Sequence, residues 1–296
     1  MNIAFCINRL ALAGLGVTVV SLIRNCSDSS QLTIHFLCSG LLDDDKDKIS
    51  RLLKLENYTG GWEFIDFDSR KEFGAFRNLH GDWTTYGRLL LPELVKADQI
   101  LYLDADLVVE LDVLYVKDFD LKGQALGVVH SGAVITALDH RFLIDRAGLE
   151  PEAPAFNAGI LLMDLHKWRK DNLKGRCLTL ARKYPTELVS HDQTLLNSLF
   201  SHYSASLPGC MNCAWYPEGP RPIDAEKMIL HYVGSPKPWD IGGRFIHDGY
   251  KVWKSYLNPM WAKEYVSTTV GDMQRAWKIR RSYFRVMKNI INRRSE

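Results

Sequence analysis

The chain predicts an α/β fold with a mainly parallel central sheet and helices on both of its faces. Three observations carry this. Strand-length apolar runs alternate with helix-length runs through residue 200. The apolar run Ile100-Leu101-Tyr102-Leu103 leads straight into Asp104-Ala105-Asp106, and acids at the C-terminal end of a strand lie where parallel α/β sheets place their ligands. The chain has 296 residues, 46% of them hydrophobic, which is enough for a sizeable core, and it shows no internal repeat or low-complexity tract.

Strands are expected at 2–7, 32–38, 62–67, 100–103, 125–130 and 156–164, and helices at 17–26, 43–56, 84–97, 139–147, 166–183 and 192–200. After the first strand, Leu10–Ile23 is apolar enough to imitate the middle of a signal peptide. Gly14 and Gly16 interrupt it, no small-residue cleavage site follows, and it is shorter than a membrane span, so a loop and helix fit better. Pro92 to Asp98 reads as a helix end and turn before the Ile100 strand. Between 208 and 243 proline and glycine cluster, and this region reads as loops folding over the sheet edge, with no second core.

Charge is nearly balanced, with 37 basic and 35 acidic side chains, so no affinity for nucleic acid is implied. The six cysteines are scattered, which fits reduced thiols and a cytoplasmic setting. Cys210 and Cys213 have ligand spacing but no matching second pair. Gly-x-Gly-x-x-Gly after the first strand and Gly-x-x-x-x-Gly-Lys-Ser/Thr are both absent, which argues against dinucleotide oxidoreductases and P-loop enzymes.

Asp104 and Asp106 repel each other unless a cation lies between them. A hard divalent ion bridging carboxylates and substrate phosphates meets that need and points to a nucleotide-linked substrate. Alone, the pair also reads as loop acids or a helix cap. Four other segments accompany it: Thr84-Thr85-Tyr86-Gly87-Arg88, Phe156-Asn157-Ala158-Gly159, His191-Asp192-Gln193, and His231-Tyr232-Val233-Gly234-Ser235-Pro236-Lys237-Pro238-Trp239. In this order and spacing the set resembles family eight of the retaining glycosyltransferases, which includes lipopolysaccharide galactosyl- and glucosyltransferases and glycogenin, over roughly residues 1–262.

The resemblance implies a GT-A type, Rossmann-like nucleotide-sugar domain at 1–262, followed by a basic segment at 263–296. It implies transfer of a hexose from a nucleoside-diphosphate sugar, UDP-linked by expectation, to a glycan or glycolipid acceptor with retained configuration. Asp104, Asp106 and His231 would hold Mn2+ or Mg2+. Arg88, Asn157, Ala158, Gly159, Gly234, Lys237 and Asn8 would bind donor, and Gln193, Asp192 and Lys237 would serve catalysis. The chemistry is consistent: the leaving diphosphate gathers negative charge, so a metal, a lysine and a glycine that admits a backbone N–H belong beside it. Each residue also has a plain reading: Asp192 as a helix cap, Asn157 as a turn residue, His231 as a core histidine. The sequence departs from the family at Asn8-Arg9-Leu10-Ala11, where acids and an aromatic that bind uracil and ribose are common, and at His130-Ser131, where an Asp for sugar hydroxyls is common. Two other readings stay open: a haloacid-dehalogenase-type phosphatase using Asp104 and Asp106, and a noncatalytic sugar-nucleotide binder.

Residues 271–296 carry eight basic and two acidic side chains, a net +6, against −4 for the remainder. Trp277, Phe284, Met287 and Ile291 can share a helix face among Arg280, Arg281, Arg285, Lys288, Arg293 and Arg294. This reads as a basic amphipathic helix for an anionic surface, giving a peripheral position on the inner face of the membrane. A terminal helix packed on the globule is the plain alternative. Removing 268–296 is expected to spare donor hydrolysis, because the five segments lie outside it.

Overall fold

The computed structural model describes residues 1–79, 81–266 and 268–293, with side chains through residue 290. Its strands are β1 Asn2–Ile7, β2 Thr33–Cys38, β3 Gly61–Asp66, β4 Gln99–Leu103, β5 Leu107–Val109, β6 Leu126–Val128, β7 His130–Ala133, β8 Pro154–Phe156, β9 Ile160–Asp164, β10 Ala205–Ser206, β11 Cys213–Ala214 and β12 Ile229–His231. The central sheet has the order β10-β6-β9-β4-β1-β2-β3. Neighbours run parallel except at β9, which is antiparallel to β4 and β6.

Strand side chains alternate between two apolar layers. Ile100 and Tyr102 join one, packed with Leu165, Trp168, Leu195 and Phe200, and Leu101 and Leu103 join the other, packed with Leu15, Val19, Leu22 and Leu52. Helices therefore cover both faces, as the alternating pattern predicts. The Leu10–Ile23 run becomes the helix Leu12–Asn25, buried along most of its length. No helix of the described residues is long and apolar enough to cross a membrane.

Strand β1 has β2 on one side and β4 on the other. Connections leave the ends of β1 and β4 in opposite directions, and that reversal opens a crevice at the sheet's C-terminal edge. Asn8 follows β1 and Asp104 follows β4, so the geometry of the sheet alone brings both to one cleft.

Four expected elements differ. The helix expected at 84–97 is a 3-10 helix, Thr84–Leu90, followed by a short α-helix, Leu91–Leu94. Two threonines, Tyr86 and Gly87 are weak α-helix formers, and Pro92 sits where a new helix starts. The strand expected at 156–164 divides: β8 pairs with β7 and β9 joins the central sheet, leaving Asn157-Ala158-Gly159 as the break. The helix expected at 166–183 divides into Leu165–Lys170 and Leu173–Lys183 at Asn172, which has φ +48°. The 208–243 region is more than loops: β11 and β12 join β5 in a separate three-stranded sheet. Trp215, Met228, Leu230, Tyr232 and Trp253 form an apolar cluster of their own beside it. Strands of two or three residues are too short to show a period of two.

The expected boundary at 262 falls inside the helix Pro259–Tyr265. Trp261 of that helix is fully buried, donates Nε1–H to the Leu12 carbonyl at 2.8 Å, and lies so close to Gly16 that a Cβ there would meet its ring at 2.2 Å. The helices Val270–Lys278 and Arg280–Arg293 follow, seated through Ile279 and Val286. Arg294 lies outside the described residues, as do the side chains of Ile291 and Arg293.

Candidate active site

Two strand pairings assemble the site. The β4–β9 pairing lets Asp104 donate its N–H to the Gly159 carbonyl at 2.8 Å, which sets Asn157-Ala158-Gly159 beside the acids. The β5–β12 pairing places His231 opposite Leu107, and the Tyr232 N–H donates to the Asp106 carbonyl at 3.0 Å. Residues 104, 159 and 231 thus meet because three strand ends meet.

Among the described residues, Asp104, Asp106 and His231 form the one metal-capable cluster, with one ligand atom of each all within 4.8 Å of one another. Asn212 fixes the imidazole. Its Oδ1 takes the His231 Nδ1–H at 2.9 Å, and its Nδ2 donates to Asn157 Oδ1 at 3.3 Å. In that tautomer Nε2 carries a lone pair. It faces Asp106 Oδ1 at 3.2 Å and Asp104 Oδ2 at 4.0 Å, and Asp106 Oδ1 is buried without a hydrogen bond. Three acceptors pointing at one another is the arrangement a cation relieves. Gly159 closes the cradle: a Cβ there would lie 2.3 Å from His231 Cε1 and 2.9 Å from Asp104 Oδ2. The residues present fit a divalent metal.

Arg88 is a buried hub. Its Nη2 donates to Asp104 Oδ1 at 3.0 Å, its Nε lies 2.9 Å from Asp192 Oδ2, and Nη1 donates to the Ala158 carbonyl. Its guanidinium stacks over the Tyr102 ring at 4.2 Å, and Tyr102 in turn donates its hydroxyl to Asp104 Oδ1 at 2.6 Å. Asp192 is therefore no helix cap. His191 occupies the cap position with φ +58°, an uncommon backbone for a side-chain-bearing residue, and Asp192 opens the helix Asp192–Phe200 facing Arg88. Gln193 follows and accepts the Ala158 N–H at 3.0 Å. The 157–159 and 191–193 segments thus share one wall.

Lys237 Nζ lies 2.7 Å from Asp106 Oδ2 and also donates to the Tyr232 carbonyl. Burial alone would raise the Asp106 carboxyl, but the Lys237 ammonium against it outweighs burial and holds the group below the usual carboxylate range. Asp106 is thus an anion that a cation can bind without first displacing a proton. Gly234, with φ +74°, makes the turn between His231 and Lys237 that a side chain would strain. Asn8, Asp104, Asp106 and Lys237 line one cleft of about 290 Å³. Asn8 Oδ1 caps the following turn by accepting the Ala11 N–H at 3.1 Å. His130, in β7, pairs with Phe156 just before Asn157, and its Nε2 lies 3.1 Å from Ser204 Oγ.

Two residues of this constellation are not legible in the sequence: Asn212 and Tyr102. Asn212 lies beside the Cys210/Cys213 pair, which draws attention as thiols, yet all six cysteines are free and the asparagine reaches the site. Tyr102 was visible only as a strand residue. A tyrosine, whose hydroxyl needs a partner when buried, two residues before Asp104 is the signal that marks it.

The family model for glycosyl transferase family 8 matches residues 2–241. The chain is 24% identical over 284 residues to general stress protein A of Bacillus subtilis (strain 168), covering 88% of this chain and 96% of that protein. It is 24% identical over 257 residues to the lipopolysaccharide 1,3-galactosyltransferase of Salmonella typhimurium, covering 82% and 74%. Its fold is similar to the crystal structure of the galactosyltransferase LgtC with donor and acceptor sugar analogs, at a TM-score of 0.73 and 24% identity over 92% of this chain and 98% of that one. Nothing in these matches supports the phosphatase reading, and both acids of the pair are already held by basic residues, Asp104 by Arg88 and Asp106 by Lys237. The fold is thus shared with the galactosyltransferase LgtC, and with the family model matching residues 2–241 the chain belongs to glycosyl transferase family 8.

Proposed function

We propose that this glycosyltransferase moves a hexose from a UDP-linked donor to a glycan or glycolipid acceptor, of which lipopolysaccharide is one example, and retains the anomeric configuration. One observation carries the reading most: the Asp104/Asp106/His231 cluster and Lys237 line up at the sheet's switch point. The relatives' names supply the sugar and acceptor classes.

In this reading Asp104, Asp106 and His231 hold Mn2+ or Mg2+. When bound, the metal acts as a Lewis acid on the diphosphate oxygens. Lys237 exchanges Asp106 for the diphosphate and adds positive charge where negative charge grows. Gly234 keeps the turn beneath it open, and Asn8 borders the nucleoside end. Asn157, Ala158 and Gly159 form the floor under the sugar, fixed by Gln193 and Asn212. Arg88 orients Asp104 and Asp192 together, so metal and sugar ends of the site share one anchor.

Asp192 is buried against Arg88, and the Gln193 carbonyl is engaged by Ala158 N–H. Neither is presented as a free nucleophile, which favours same-face transfer in which the leaving phosphate helps take the acceptor's proton. The nucleotide-sugar domain comprises residues 1–262 and the remainder of the Pro259–Tyr265 helix. The basic segment beyond it rests on anionic lipid at the inner face of the membrane, with the enzyme in the cytoplasm.

The test is product NMR after reaction with a panel of UDP-sugars and a glycan acceptor. Retention of the donor's axial configuration is expected, with no sugar on the protein by mass spectrometry. An inverted product would overturn the family mechanism, and a glycosylated Asp192 would replace same-face transfer by double displacement.

A further inference from the structure

The first of the C-terminal helices reaches back to the site through Arg275. Arg275, on the helix Val270–Lys278, lines the same cleft as Asp104, Asp106 and Lys237. It grips both oxygens of Asp240, Nε to Oδ1 at 2.6 Å and Nη2 to Oδ2 at 3.1 Å. The Asp240 side chain is 5% exposed and that of Arg275 36%, so it is the two-point geometry that sets this pair apart from loosely held surface pairs. Its Oδ2 also accepts the Lys237 backbone N–H at 2.7 Å, and the Asp240 N–H donates to the Lys237 carbonyl at 3.1 Å. The 237–240 turn is thus closed twice. A two-point arginine fork fixes the plane of the carboxylate that closes it. Tyr283 adds a second tie from the next helix, donating its hydroxyl to the Ile241 carbonyl at 2.6 Å.

We infer that Arg275 is a positioning residue for Lys237. Acting through Asp240, it holds the backbone from which the Lys237 ammonium reaches the diphosphate, and this rests on the role proposed above for Lys237. A lysine is a point charge on a flexible stem, so the anchoring of its backbone decides where that charge sits. Displacements of about 1 Å at a reacting site can cost on the order of 10²-fold in rate. The sequence expectation that 268–296 is dispensable for donor hydrolysis is therefore replaced: the first C-terminal helix belongs to the active-site scaffold. Relay is favoured over direct donor binding by Arg275 because its Nε and Nη2 are already committed to Asp240.

The experiment compares Mn2+-supported hydrolysis of UDP-glucose and UDP-galactose by full-length wild type, Arg275→Gln, Asp240→Asn, Lys237→Ala and the Arg275→Gln/Lys237→Ala double variant. Arg275→Gln and Asp240→Asn should each lower kcat about tenfold while donor KM stays within about threefold, and Arg275→Gln should add less than about twofold once Lys237 is gone. Near-UV circular dichroism checks folding, and if Arg275→Gln fails it, the near-isosteric Asp240→Asn decides. Unchanged kcat in the folded variants overturns the inference. So does a fully additive loss in the double variant, or a rise in KM at constant kcat, which would make Arg275 a direct donor ligand. An inactive wild type would overturn the proposed function and the inference together, whereas the other outcomes overturn the inference alone.

Discussion

At Asp106 the Lys237 ammonium outweighs burial and keeps the carboxylate ionised, while Asn212 decides which nitrogen of His231 faces it. The second residue is as consequential as the first. Removing a partner that orients a metal-binding imidazole typically costs about 10- to 100-fold in metal affinity. Asn212→Ala should therefore weaken Mn2+ binding by that amount in calorimetric titration with UDP present, while leaving the melting temperature nearly unchanged. Equal affinity in the variant would show that the imidazole is held by something else. The sequence displays Asp104, Asp106 and His231 because four other segments accompany them in order; alone, the acids read as loop residues and the histidine as core. It hid Asn212, whose role depends on a contact between chain segments 19 residues apart.

Among the elements, the long ones were readable and the short ones were not. Strands of five or six residues such as β1, β2 and β4 show as nearly continuous apolar runs buried on both faces, and β1 falls where expected. The β5–β11–β12 sheet, which delivers His231, is made of pieces too short for any period. Behind it sits His247, whose Nδ1 accepts the Gly249 N–H at 3.0 Å while its Nε2 has no partner. It packs edge-on against Tyr232 and Trp215. Burial and then Lys237 push its pKa down to about 3 from 6.5. The unfolded chain thus takes up a proton that the native one refuses. This stability is complete above pH 6.5 and falls as pH drops toward 3, by at most about 1.4 kcal/mol per pH unit. In urea unfolding at pH 7, 6 and 5, His247→Gln should lose less stability on acidification than wild type. Parallel pH profiles would mean that His247 is protonated in the native state.

The whole molecule carries its charge unevenly. On the C-terminal helices Met273, Trp277, Phe284 and Met287 are exposed among Lys278, Arg280, Arg281, Arg285 and Lys288, while Ile279 and Val286 face the globule. One pair of helices thus has a packed side and an apolar, basic outer side, so both readings of the tail keep a place. Truncation would remove Arg275 along with the outer face, so substitutions separate the two better. Trp277→Ser/Phe284→Ser should reduce co-sedimentation with anionic vesicles more than about threefold, and salt should reduce it further, while hydrolysis of a free sugar nucleotide stays within about twofold. Undiminished vesicle binding would end the membrane reading. The central claim at this scale is that Asp104, Asp106 and His231 would hold a divalent ion on which turnover of the sugar nucleotide depends. Its most direct test is hydrolysis of a UDP-sugar panel by wild type, by wild type in EDTA with and without added Mn2+, and by Asp104→Ala and Asp106→Ala. The account predicts turnover that EDTA abolishes and Mn2+ restores, and none from either folded variant; full activity in EDTA, or in Asp106→Ala, would contradict it.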